Sequence, residues 1–378
     1  MPDKTEVGLT LPAPTDQEQD ETAHQLLQQF EDEVSENRIS WSTSLRLCQL
    51  KGAGSQGRVY QARRYGSDGF SIPVAVKFFS PEIYPSAKRY DQAMAMIGKV
   101  SAIVAMIQHE NLLFVSHFLN QNRIRVMVME WIDGFDLREL LTARMYGSVR
   151  QRCSQRRWQQ LNQELFKSGP VQPRLSVETV LFILRDCLSA LTALHDEGVL
   201  HNDLKPSNIM LNRAGRAKVI DVGAATLMDT DSNFGTCTPC YSAPEVLTGV
   251  LPPSPSSDLA SLGYMAIEML SGRPIGTENR SLPEIIEQKR SVMSRIEQLF
   301  DECELRDKSL FQFLSKLTRP DTNDRYQSAD DALADCRRIS SGYQTDTGGR
   351  RNIRIWISEL LDMDLDAQTR PSRILFFL

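Results

Sequence analysis

Apolar residues along the chain fall into two regimes. From Trp41 to about Phe79 they read as strands: LRLCQL, a glycine-rich turn, RVYQA, and IPVAVKFF, where Ile72, Val74, Val76 and Phe78 recur at every second position. This predicts a small antiparallel sheet. Residues 86–107 change period, with Tyr90, Ala93, Met94, Ile97, Val100, Val104 and Ile107 at three- and four-residue spacings, the stripe of a half-buried helix. FLNQNRIRVMVMEW then returns to strand character around a polar turn. Beyond residue 175 helices dominate. Ser176 is placed to cap one whose inward stripe is Val177, Val180, Leu184, Cys187, Leu188 and Leu191. Leu259 to Leu270 is apolar nearly all round, which predicts a buried helix. Strands first and helices after, with no internal repeat, describe an α+β chain of two lobes rather than alternating βαβ units.

The two ends stand apart from this body. Residues 1–40 carry ten acidic side chains against Lys4 and Arg38, with three prolines before residue 15, and read as an acidic, disordered arm. Within it Leu26, Leu27, Phe30 and Val34 sit at helical spacing, so a short docking helix is the alternative to a solvated tail. After the linker SSGYQTDTGGR, the stripe Ile353, Trp356, Ile357, Leu360 and Leu361 predicts a helix that packs on the body or on a partner. The run Ile374 to Leu378 is too short for a membrane span, which needs about 18 apolar residues.

At 378 residues, 41% apolar and 24% charged, the composition is that of a soluble globular protein of two domains or one large bilobal one. A net charge of −5 gives no global attraction to nucleic acid or anionic lipid. Seven cysteines cannot all pair, which favours a reduced, intracellular setting. MPDKTEVGLTLPAPTD contains no apolar signal core, so a cytoplasmic location with no membrane attachment is expected.

Chemistry concentrates in four places. Gly52-Ala53-Gly54-Ser55-Gln56-Gly57 lies between two strands, and glycines at this spacing let backbone amides approach a phosphate. A strand rather than a helix follows, which argues against a dinucleotide-binding fold. Lys77 shares a strand face with Ala75 and needs a partner on that apolar strand. The densest segment is His201-Asn202-Asp203-Leu204-Lys205-Pro206-Ser207-Asn208, followed by Asp221-Val222-Gly223 and then Ala243-Pro244-Glu245.

In these motifs and their order, residues 44–340 resemble the eukaryotic-type protein kinases. The resemblance implies a bilobal fold with a small sheet-plus-helix lobe (41–131) and a larger helical lobe (132–340), between the acidic arm (1–40) and a linker and helical tail (341–378). ATP and Mg²⁺ are the implied cofactors, and the reaction is γ-phosphoryl transfer to serine or threonine hydroxyls of a protein substrate. Asp203 would orient or accept the hydroxyl proton, and Lys205 would neutralise the γ-phosphate. Asn208 and Asp221 would hold the metal through oxygen. Lys77 would grip the α- and β-phosphates beneath the loop from Gly52 to Gly57. Val59 and Ala75 would cap adenine, Met129 would be the gatekeeper, Glu130 to Ile132 the hinge and Asp136 the ribose contact. Thr238 would position substrate, and with Lys205 it points to serine/threonine specificity. Glu245 with Arg325, and Asp258, would brace the large lobe.

The pattern also departs from the family. Counting back from His109, the helix glutamate that should pair with Lys77 falls on Val100. The only acid between Ile83 and His109 is Asp91, about 13 Å away along a helix. Lys77 must then pair with Asp221, with phosphate, or with an acid from elsewhere. Asn202 replaces the arginine that receives an activation-loop phosphate, which implies activity without that modification; Thr226, Thr230, Ser232 and Thr236 are the acceptors at hand or plain exposed hydroxyls. Val222 in place of phenylalanine is a packing change. These departures leave a pseudokinase or scaffold as the alternative to an active kinase; a kinase of a non-protein substrate is disfavoured by the intact Ala243-Pro244-Glu245 and Thr238 segment. Cys237 and Cys240 are two ligands short of a structural zinc site and are either free thiols or a redox switch. The insertion 142–174 has Arg144, Arg150, Arg152, Arg156, Arg157, Lys167 and Arg174 against Glu164 alone, a net +6. It is a solvated loop, or a docking patch for an acidic partner or for the chain's own arm.

Overall fold

The computed structural model describes residues 44–228, 238–274, 280–302, 307–343 and 348–362. The acidic arm, Thr230, Ser232, Thr236, Cys237 and the apolar terminus lie outside the described residues.

The first lobe is a five-stranded antiparallel sheet crossed by one helix. Strands β1 (Ser44–Gly54), β2 (Gly57–Tyr65) and β3 (Ser71–Phe79) precede helix α1 (Ala87–Met106), and β4 (Val115–Gln121) and β5 (Ile124–Glu130) follow, in the order β1-β2-β3-β5-β4. Ser86 caps α1 by accepting from the Arg89 amide, and Tyr90, Ala93, Met94, Ile97, Val100 and Val104 form its buried stripe. Period-2 alternation on β3 sorts its two faces differently from a simple core-and-solvent reading. Val74 and Val76 build a separate cluster with Ala62, Val126 and Val128, whereas Ala75 and Phe79 join the main core. Gly57 is required by the sheet itself: at φ 141°, a Cβ there would overlap the Phe78 carbonyl oxygen at 1.9 Å. Its absence of a side chain thus serves strand packing as well as any approach to phosphate.

The second lobe opens with β6 (Gly134–Asp136) and α2 (Leu137–Leu140). The basic insertion is folded rather than a solvated loop: α3 (Ala143–Arg152) and α4 (Gln155–Glu164) are capped by Thr142 and Ser154, and a short hairpin, β7 (Phe166–Lys167) with β8 (Arg174–Leu175), closes it. An aromatic cluster joins Tyr146 to Trp158 and Phe166, with ring centroids 4.7 and 5.3 Å apart. Arg144, Arg150, Arg152 and Arg156 stay on the exposed side.

Helix α5 (Val177–Asp196) is capped by Ser176, whose hydroxyl accepts from the Thr179 amide. Burial extends further round α5 than the predicted stripe, to Leu181, Phe182 and Ile183, because the helix runs through the lobe interior. The short strands β9 (Val199–Leu200), β10 (Ile209–Asn212), β11 (Ala217–Val219) and β12 (Thr226–Leu227) carry the central loops, and β6-β10-β11 form one small sheet. Helices α6 (Pro244–Thr248), α7 (Pro255–Ser271), α8 (Leu282–Arg290), α9 (Val292–Glu302), α10 (Lys308–Thr318) and α11 (Ala329–Ser340) complete the lobe. As predicted, α7 is buried on every side. The tail stripe forms α12 (Gly348–Asp362), which packs on the body: Ile353, Trp356, Ile357 and Leu360 are all buried, and Trp356 meets Phe166 of the insertion at 5.3 Å.

One ion pair braces this lobe. Arg325 donates from Nη1 and Nη2 to the two oxygens of Glu245, both at 2.8 Å, and its Nε donates to the Arg319 carbonyl. Leaving one buried charge without its mate costs about 3–5 kcal/mol. Arg325→Leu should lower the unfolding free energy from urea titration by that amount, and Glu245→Leu combined with Arg325→Leu should recover part of it; equal stabilities for wild type and Arg325→Leu would rule out the brace.

Candidate functional site

The loop after β9 is held from below by Asp258, at the start of α7. Its Oδ2 accepts from the His201 amide at 2.9 Å and lies 3.0 Å from His195 Nε2, and its Oδ1 accepts from the Asn202 amide at 2.9 Å. Burial alone would push this carboxyl up, but the His195 and His201 contacts hold it below the usual carboxylate range. His201 accepts the Asp203 amide at Nδ1, so Nε2 carries the proton and donates to the Ile220 carbonyl. Asn202 sits at φ 65°, a left-handed conformation that asparagine tolerates. Its Nδ2 donates to the Ala224 carbonyl and the Thr226 hydroxyl. Thr226 is therefore a buried structural partner, neither an exposed hydroxyl nor an accessible acceptor.

This support presents Asp203, Lys205, Asn208 and Thr238 to one another. Thr238 Oγ1 donates to Asp203 Oδ1 at 2.6 Å and accepts from Lys205 Nζ at 3.0 Å, while Lys205 also pairs with Asp203 Oδ2 at 2.7 Å. Asn208 donates from Nδ2 to the Asp203 carbonyl and carboxylate. Among the described residues its Oδ1 is buried without a hydrogen-bond partner. An orphaned amide oxygen is costly unless something else satisfies it, and a hard cation is a chemically fitting partner. The segment after Thr238 is braced by a residue the motifs did not flag: Lys289, fully buried, donates to the Pro239 and Ser242 carbonyls and lies over the Tyr264 ring.

Opposite stands Asp221, also left-handed at φ 61°. Lys77 Nζ pairs with its Oδ1 at 2.6 Å, both side chains buried, which is the first of the three sequence alternatives. Burial would raise the Asp221 carboxyl, yet Lys77 and then Lys205 hold it low. Gln56, at the tip of the glycine turn, offers its amide oxygen to Lys77 at 3.4 Å. Val100 is fully buried in the apolar core, and Asp91 spends its carboxylate on Arg125 at 3.0 Å and Arg123 at 3.5 Å. Among the described residues no group of three His, Cys, Asp or Glu side chains is placed to hold a metal ion.

Between the lobes lies a cavity walled by Val59, Ala75 and Lys77 above, by Met129, Glu130 and Ile132 at the back, and by Asp136, Met210 and Ile220 below. The Glu130 side chain turns away, accepting from the Phe114 amide at 2.8 Å and pairing with Lys218 at 2.6 Å, which leaves backbone for the cavity. Asp136 doubles as the cap of α2 by accepting the Glu139 amide, and burial raises its carboxyl to about 6. Gly52, Ala53, Gly54 and Ser55 do not line the cavity, whereas Lys51, Trp131 and Leu361 do. Lys51 lies over the Trp131 ring at 5.6 Å. The motifs did not flag Met210; Leu361 was legible as a helix position but not as part of this wall, because its helix is remote in sequence. No disulfide joins the cysteines among the described residues.

The family model described as protein kinase domain matches residues 45–335. The chain belongs to the protein kinase family. Curated relatives include a protein named serine/threonine-protein kinase ssn3 from Aspergillus niger, 29% identical over 59% of this chain and 48% of its own length. Another, serine/threonine-protein kinase SSN3 from Pyricularia oryzae, is 29% identical over 59% of this chain and 41% of its own length. The chain thus spans about half the length of the curated relatives it matches. A kinase domain uses ATP with a divalent metal in general, and the cavity and the Asn208 and Asp221 oxygens suit both.

Above about pH 6 the Asp136 carboxyl is ionised and is a better hydrogen-bond acceptor, which bears on the ribose contact that the family resemblance implies for it. Binding of adenosine, which has no phosphate to titrate, should weaken about fivefold as pH falls through 6 and stay flat above 7. Asp136→Asn should flatten the profile; a wild-type profile flat from pH 5 to 8 would remove Asp136 from the ribose site.

Proposed function

We propose that this protein is an active serine/threonine protein kinase that transfers the γ-phosphoryl group of ATP to hydroxyls of a protein substrate. The observation that carries this reading is the contact set of Asp203 with Thr238, Lys205 and Asn208, facing Asp221 and Lys77. The names of the curated relatives support the serine/threonine assignment.

Each step follows from charge placement. The Asp203 carboxylate accepts a hydrogen bond from the Thr238 hydroxyl, and an incoming serine or threonine hydroxyl can take that position and be aligned for attack. Asn208 fixes the carboxylate plane, which holds the acceptor lone pair in place. Lys205, already within reach of Asp203, supplies positive charge where the transferred group passes. Lys77 exchanges Gln56 for phosphate oxygens while keeping Asp221. We assign Mg²⁺ to Asn208 Oδ1 and Asp221, where it supplies neutralisation of the phosphate charge. In our reading Val100 takes the family's helix-glutamate position and Asn202 its catalytic-loop arginine position. The first loss is offset by the direct Lys77–Asp221 pair, and the second by the Asn202 hydrogen bonds to Ala224 and Thr226. The scaffold alternative is not favoured, and the contacts of Asp203 with Lys205 and Asn208 and of Lys77 with Asp221 support the active reading.

Transfer of labelled γ-phosphate from ATP·Mg²⁺ to a generic protein substrate tests this. Asp203→Ala should lose at least about a hundredfold in rate with ATP binding kept. Equal rates in wild type and variant, or no transfer by a wild type that binds ATP, would move the protein to the scaffold reading.

A further inference from the structure

The nucleotide cavity has a wall that comes from the far end of the chain. Helix α12 is docked by a buried stripe, and its last turn places Leu361 in the cavity lining while Leu360 faces the core. The helix packs on β6 and β10, the strands that carry Asp136 and Met210, and on α5. The turn between β10 and β11 admits it closely. At Gly215 a Cβ would come within 2.6 Å of the Arg350 carbonyl oxygen and 2.9 Å of the Arg354 nitrogen. Arg213 then ties the helix end to the hinge, donating from Nε to Asp133 at 2.9 Å and from Nη1 to Asp362 at 3.1 Å. On its other side α12 meets the insertion through Arg157 and Glu359 at 3.0 Å. Exposed pairs such as those of Arg213 contribute little stability, so their effect is to fix where the helix ends.

We propose that α12 is part of the nucleotide site: Leu361 packs against bound nucleotide, and nucleotide binding and α12 docking strengthen each other. The proposal rests on the nucleotide-binding reading above. Coupling of this kind is reciprocal, so a change that loosens the helix must weaken nucleotide binding, and nucleotide must tighten the helix. A helix that only stabilised the large lobe would show neither effect.

The test uses the full chain and ATP·Mg²⁺, with calorimetric dissociation constants and hydrogen exchange of α12 amides. Leu361→Ala should weaken ATP binding about 3- to 10-fold, the effect of losing one partly buried leucine contact. Gly215→Ala, which does not line the cavity, should weaken binding in the same sense by displacing the helix. Arg351→Ala, on the exposed side of α12, should leave binding unchanged. ATP should slow α12 exchange in wild type and equally in Asp203→Ala. Dissociation constants for Leu361→Ala and Gly215→Ala within twofold of wild type, with α12 exchange indifferent to ATP, would overturn the proposal while leaving the kinase reading standing. The predicted shifts without any phosphoryl transfer would overturn the kinase reading and leave this one. A wild type that binds no ATP would overturn both.

Discussion

A buried carboxylate, Asp258, carries the geometry of the site. It is taken out of water at the first turn of a helix that is itself enclosed, and it stays charged because three donors from His195, His201 and Asn202 converge on it. Two of those donors are backbone amides of the loop that presents Asp203. Fixing them fixes the left-handed turn at Asn202, and that turn sends its side chain to Ala224 and Thr226. Asp203 and the start of the following segment are thus positioned from one anchor, and for the proposed transfer a shift of about 1 Å in either is worth about a hundredfold in rate.

The same economy appears on the opposite wall. Val100 belongs to the apolar stripe of α1, and the stripe helps pack the sheet that carries Lys77. The lysine is charged and almost wholly buried, so it requires a counter-charge, and Asp221 supplies it across the cleft. One pair then spans both lobes and sets the distance between Lys77 and Asp221. The C-terminal helix adds a third element to this cleft, with the hinge and the basic insertion each tied to it by a single arginine.

How much of this was legible in the sequence depends on how locally each feature is encoded. Asp203, Lys205 and Asn208 lie within one short loop, so their identities carried their arrangement. Thr238 is 35 residues from Asp203 and was legible through the Ala243-Pro244-Glu245 segment beside it. The alternation on β3 announced a strand, but which face met the main core depended on where α1 lay. Gly57 was read for phosphate, while a clash with the Phe78 carbonyl gives it a packing reason as well. The insertion looked like a charged loop because seven basic side chains stand against one acid; Tyr146, Trp158 and Phe166 pack on one another and, through Phe166, on Trp356 of the tail. Leu361 was visible as a helix position and not as a cavity wall, since only the tertiary fold brings α12 to β6.

We propose that the unmodified chain already holds its site together, through the hydrogen bonds of Asn202 to Ala224 and Thr226. Single-turnover transfer from ATP·Mg²⁺ by protein shown by mass spectrometry to carry no phosphate measures this directly. The account predicts transfer from the first turnover, at a rate that neither phosphatase treatment nor prior autophosphorylation changes by more than about twofold. A phosphate-free protein that binds ATP yet transfers only after phosphorylation would contradict it.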